Sequence, residues 1–141
     1  MIFEAKQHDT GKLQTLETGA DKTISKGDPL AFSNGYVERA TDSANTVRFV
    51  ALENASDTDE GDELLALYVQ GIEFEAETAA NTAQDQVGMV FGIDSDRKVE
   101  NTDSGGYTDG DVFLVTGIVG AASDKKVRGY FLDRVSEANS A

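Results

Sequence analysis

The side chains in this sequence best equipped to do chemistry are carboxylates. Asp57-Thr58-Asp59-Glu60-Gly61-Asp62-Glu63, Asp94-Ser95-Asp96 and the stretch from Asn101 to Asp111 have the composition of calcium-binding loops. An EF-hand loop needs oxygen ligands at positions 1, 3 and 5, glycine at 6 and a bidentate glutamate at 12. Counted from Asn101, position 5 is Gly105 and position 12 is Val112; counted from Asp94, position 5 is Lys98, a cation where a ligand is required. None of the clusters complies, so the expectation is solvated turns, with no metal and no cofactor. A cation bridging such loops between subunits stays an open alternative, because its ligands need not be contiguous.

Nucleophilic and redox chemistry have even less to work with. The chain has no cysteine, so it offers no thiol nucleophile, no disulfide and no Cys-ligated zinc or iron–sulfur site. His8, the single histidine, lies in the polar run Gln7-His8-Asp9-Thr10. A Ser-His-Asp triad would have to start from that one residue. No phosphate-binding glycine loop and no G-x-S-x-G elbow occurs. With 26 acidic residues and no Trp, carboxylate pairs for acid–base work cannot be singled out. The expectation is a protein that is not an enzyme.

Charge narrows the partners. Twelve basic residues face 26 acidic ones, for a net charge of −14, spread evenly over both halves of the chain. The long-range field of such a body repels phosphate backbones and anionic lipid, so no nucleic acid and no membrane surface is expected as a partner. No apolar run approaches the ~20 residues of a membrane span, and the start, Met1-Ile2-Phe3-Glu4-Ala5-Lys6, lacks a signal-peptide core. The chain therefore reads as made in the cytoplasm.

The elements that would position any site read as strands. At 141 residues the chain has one domain's worth of length. Gly11, Gly19, Gly27 and Gly35 recur every eight residues, a turn spacing that predicts a β-meander over 13–40. Gly-Asp precedes an apolar run at Gly27-Asp28, Gly61-Asp62 and Gly110-Asp111, and Asn34-Gly35 is a hairpin turn. Further strands are predicted at 47–52, 64–69, 72–76, 87–93, 112–119 and 127–135, the last broken by Gly129. Residues 72–77 alternate apolar and acidic, so one face meets a core and the other carries carboxylates. One short helix is allowed, a turn or two within 76–86. The fold class is all-β, a single-domain sandwich or open barrel with at most one short helix. The expected domain limits are an N-terminal arm over 1–12, a β-domain over 13–135 and a flexible C-terminus over 136–141.

The order of these features resembles that of the decoration, or cement, proteins that coat tailed-bacteriophage heads. The resemblance rests on Ser25-Lys26-Gly27-Asp28-Pro29-Leu30, Asn34-Gly35-Tyr36-Val37-Glu38-Arg39-Ala40, residues 47–52, Gly61-Asp62-Glu63-Leu64 leading into Val69-Gln70-Gly71-Ile72, and Gln86-Val87-Gly88-Met89-Val90-Phe91-Gly92-Ile93. It spans residues 13–93 and consists of turns and buried strands. It implies a structural virion protein on the outer surface of the expanded capsid, bound to the major capsid protein. It further implies a homotrimer on the particle that stabilises the shell by bridging neighbouring capsid subunits. In that setting Ile2 and Phe3 of the arm, with Leu13 and Leu16, are the expected capsid or subunit contacts, the alternative being that Ile2 and Phe3 close the subunit's own core. The competing reading is another β-rich virion component, a head fibre or tail module that binds a host ligand; an exposed aromatic cluster would favour it.

Overall fold

In the computed structural model, described over residues 2–5, 12–40, 47–102 and 111–132, the chain forms ten short strands. They are β1 (Phe3–Ala5), β2 (Leu13–Glu17), β3 (Pro29–Ser33), β4 (Tyr36–Arg39), β5 (Phe49–Ala51), β6 (Glu63–Tyr68), β7 (Phe74–Glu77), β8 (Val90–Gly92), β9 (Asp111–Ile118) and β10 (Lys126–Phe131). Turn chemistry sets their limits. Asn34 and Gly35 both adopt positive φ, 54° and 86°, which gives the β3–β4 hairpin the twist its strands require. Asp28 and Asp62 each accept a backbone N–H from three residues upstream, Ser25 and Asp59, immediately before β3 and β6. Pro29 opens β3, where its missing N–H costs no ladder bond.

The strands assemble into two five-stranded antiparallel sheets, ordered β1-β7-β10-β9-β8 and β2-β6-β5-β3-β4. They are arranged as a sandwich, so the all-β expectation holds. A parallel bridge between Thr18 and Val37 brings the edges of the second sheet toward each other and curls it. The curl buries the inner face of that sheet, and the first sheet covers part of its other face. Val50 and Leu67 join Phe3, Phe74, Phe91, Phe113 and Phe131 in the core between the sheets. Ile24, Leu30, Val37, Leu64 and Ala66 form a second core inside the curl. In β6 this buries Leu64 and Ala66 on one side and Leu67 on the other, whereas Leu65 stays 36% exposed.

Several sequence expectations are corrected. No meander forms over 13–40, because β2 pairs along its whole length with β6 instead of with β3. Residues 18–28 give their backbone groups to the β5–β6 connection: Ile24 and Ala55 exchange N–H···O bonds at 2.8 Å, and Thr18 and Gly61 are joined at 2.9 Å. The arm boundary moves as well. Residues 3–5 are β1, in register with β7 through Phe3↔Ala76 and Ala5↔Phe74, so these three residues are part of the first sheet and not of a separate arm. Residues 76–86 yield one 3₁₀ turn, Gln84–Gln86, since no apolar stripe rewards a longer helix. Of 87–93 only Val90–Gly92 is strand; Gly88 turns the chain at φ 92°, and Met89 is exposed. The proposed C-terminus over 136–141 lies outside the described residues.

Gly129 does not break β10. The register shifts there against β9 in a bulge, and a Cβ on residue 129 would stand 1.9 Å from the Leu114 carbonyl oxygen. Gly129→Ala must push β9 and β10 apart, and is expected to cost about 1–3 kcal/mol. Urea denaturation of that variant checks it.

Asp28 ties the sheets together. It is 2% exposed, and its Oδ2 accepts from Arg39 Nε at 2.9 Å and from the Ser25 N–H at 2.8 Å. Arg97, from the segment after β8, brings its buried Nε to 3.8 Å from Asp28 Oδ1. One carboxylate thus anchors a cation from β4 and one from the segment that follows β8.

Candidate functional site

The described parts of the acidic clusters resolve into turn caps, while residues 103–110 of the third cluster lie outside the described residues. Asp94 Oδ1 accepts the N–H groups of Asp96 and Lys98, both at 2.9 Å. Asn101 is buried, and its amide bridges the backbone of Ala80 and Asn81. Among the described residues no three His, Asp or Glu side chains converge in a way that could hold a metal. Glu60 accepts a hydrogen bond from the Tyr36 hydroxyl at 3.3 Å. Its negative charge, then that bond, raises the Tyr36 pKa above 10.0. Spectrophotometric titration is expected to show Tyr36 ionising late, and Glu60→Gln should return it toward the ordinary range. The sign follows: the folded phenol holds its proton harder than the unfolded one, so this contact contributes below the ordinary tyrosine pKa and is lost as pH rises through the raised one.

The cations of β10 are engaged within the chain. Lys126 lies 3.7 Å from Glu75 and Arg128 lies 3.9 Å from Glu73.

Apolar chemistry is concentrated on one flank, where β1, at the edge of the first sheet, overhangs the second. A cleft of about 250 Å³ runs between them, lined by Phe3, Ala5 and Phe74 on one side and Val50, Leu52 and Leu67 on the other, with Glu4 and Lys26 at its rim. Leu13 is 37% exposed and Leu65 is 36% exposed. Both share a face of the second sheet with Leu67, because Leu13 stands opposite Leu67 and Leu65 lies two residues from it along β6. The flank therefore offers exposed leucines beside an open cleft.

The four expected contact residues separate. Phe3 is 1% exposed and packs its ring 4.7 Å from that of Phe131 and 5.4 Å from that of Phe113. It closes this chain's own core, so its side chain is not a surface for another protein. Ile2 is half-buried against the same core. Leu16 turns into the curl of the second sheet, on the face opposite Leu13. Leu13 alone of the four stands exposed on the flank. Leu65 and Leu52 were missed, because in an apolar run the sequence does not show which leucine the curl leaves outside.

A second feature lies at the mouth of the curled sheet. Phe32, 49% exposed, Phe49 and Tyr68 form a row with centroid spacings of 6.0 and 5.4 Å. Lys12 sits over the Tyr68 ring at 5.8 Å, and the Tyr68 hydroxyl donates to Gln70 at 2.9 Å. Phe32, Phe49 and Tyr68 come from β3, β5 and β6, adjacent in the sheet yet far apart in sequence. No protein-family profile and no curated protein matches this chain.

Proposed function

We propose that this protein is a structural, non-catalytic component of a tailed-phage virion, one that decorates the outer surface of the expanded capsid. It binds the major capsid protein, bridges neighbouring capsid subunits and acts as a homotrimer on the particle. The observation that carries this reading is the flank: exposed Leu13 and Leu65 beside an open apolar cleft suit attachment to another protein surface. The net charge of −14 favours a basic protein surface over nucleic acid or anionic lipid. Copies repeated around a shell would turn modest individual contacts into firm attachment.

The experiment is a heat challenge. Heads stripped of decoration protein, with and without the purified chain added back, are warmed in a dye that lights up on released DNA. Bridging predicts release at a higher temperature with the chain present. Identical release curves would contradict it.

The aromatic row supports a second reading, a head-fibre or tail module that binds a host ligand, since a half-exposed Phe32 offers a stacking face. Binding of the chain to host cells, abolished by Phe32→Ala, would favour that reading over decoration.

A further inference from the structure

We infer that a second copy of this chain inserts Met89 into the cleft beside β1, so that copies join head to tail. This deepens the homotrimer reading, and rests on that reading only for where the ring closes.

The cleft finds no occupant in the chain that runs on from its rim. Its walls, Phe3, Ala5 and Phe74 against Val50, Leu52 and Leu67, are apolar, and it encloses about 250 Å³. Lys6-Gln7-His8-Asp9-Thr10-Gly11, which follow Ala5, include no Leu, Ile, Val, Met or Phe to fill it. A space below the roughly 300–1,000 Å³ of most small-molecule sites suits a single large side chain.

Four large apolar side chains are exposed among the described residues: Leu13, Phe32, Leu65 and Met89. Leu13 and Leu65 flank the cleft, and Phe32 packs edge-on to Phe49. Met89 has no such setting. It follows the Gly88 turn and immediately precedes β8, the edge of the first sheet opposite β1. An unbranched thioether with three rotatable bonds fills an irregular apolar gap readily.

Charge matches as well. Asp85 is exposed in the 3₁₀ turn ahead of Met89, and Lys26 is exposed at the cleft rim. Among the described residues neither side-chain charge has an ion-pair partner. Glu4, the other charge at the rim, shares a second groove with Lys126. Seating Met89 of one copy in the cleft of the next brings Asp85 toward Lys26, against a net charge of −14 that otherwise keeps copies apart. The two surfaces differ and lie at opposite edges of one sheet. Contacts of this kind close into rings where the rotation between copies allows and otherwise run on as filaments. Three copies around an axis make the homotrimer, with Leu13 and Leu65 left outside the filled cleft for the capsid protein.

The chain has no cysteine, so introduced pairs report the contact cleanly. Ala5 and Met89 stand at opposite edges of a five-stranded sheet, roughly 19 Å apart at the usual strand spacing, too far for a disulfide within one copy. The double variant Ala5→Cys/Met89→Cys is oxidised with copper phenanthroline at about 0.15 M salt and read on a non-reducing gel. Linked species up to a trimer are expected, about tenfold or more above either single variant. Lys26→Glu in the same background is expected to slow linking by about threefold, and Asp85→Lys added to it to restore the rate. Where Ala5→Cys lowers the melting temperature, Leu52→Cys takes its place. Linking no greater than in the single variants, dimers from Met89→Cys alone at the same rate, or Lys26→Glu without effect or without rescue would overturn the inference. A ladder running past three keeps the contact and removes the trimer. Linking in solution without attachment of the chain to heads leaves the contact standing and removes the capsid reading. Attachment to heads without linking does the reverse.

Discussion

Phe3→Ala is expected to lower the free energy of unfolding by about 3–5 kcal/mol, the range for truncating a fully buried aromatic. The ring is 1% exposed and touches Phe74, Phe113 and Phe131 in edge or tilted geometry. Alanine at this position opens a cavity between the sheets, and the rigid neighbours cannot collapse fully into it. It also loosens β1, because that strand has three residues and its backbone bonds to one partner strand. Urea denaturation with fluorescence and circular dichroism measures the effect. A loss under about 1 kcal/mol would mean that residues 3–5 behave as an arm after all and that β1 contributes little to the fold.

Asp28→Ala is expected to destabilise by about 3 kcal/mol, because removing one member of a buried ion cluster leaves the others uncompensated. Arg39, at 2.7 Å, loses its partner, and the buried Nε of Arg97 loses the nearest negative charge. The Ser25 N–H is also orphaned, which loosens the turn that launches β3. Arg39 remains partly solvated and can find water, which keeps the figure near the lower end of the range. A double-mutant cycle with Arg39→Ala separates the parts. Coupling of about 1–3 kcal/mol is the expected outcome for residues in direct contact. Additive losses would show that Asp28 acts through its turn alone.

What the sequence disclosed, and what it withheld, follows from the range of each interaction. Asn34-Gly35 and the Gly-Asp pairs act over three or four residues, so the β3–β4 hairpin and the starts of β3 and β6 were legible. Ile72 through Glu77 alternates, and the burial of Phe74 and Ala76 with Glu75 outside follows from that period. Pairing partners are a different matter. β2 joins β6 across about fifty residues, a choice made by the curl of the second sheet and by the Ile24–Ala55 backbone exchange. Nothing local to Leu13 or Leu16 signals it. Phe3 was legible as apolar, with core and contact both open, because the three rings it packs against arrive from β7, β9 and β10. The same holds for the flank. Leu13 was picked out for its place ahead of the first turns, whereas Leu65 and the cleft appear only once β1 is laid over β6. Even the cap role of Asn101, read in sequence as part of an acidic loop, depends on Ala80 and Asn81 folding back over it.

Co-sedimentation tests the central claim most directly. The purified chain is mixed with expanded heads and with unexpanded proheads of a tailed phage, both free of decoration protein, and bound mass is read by densitometry. Decoration predicts saturable binding to expanded heads alone, at a fixed ratio to the major capsid protein. Absence of binding to either particle would contradict it and turn the search to host ligands for the Phe32 face.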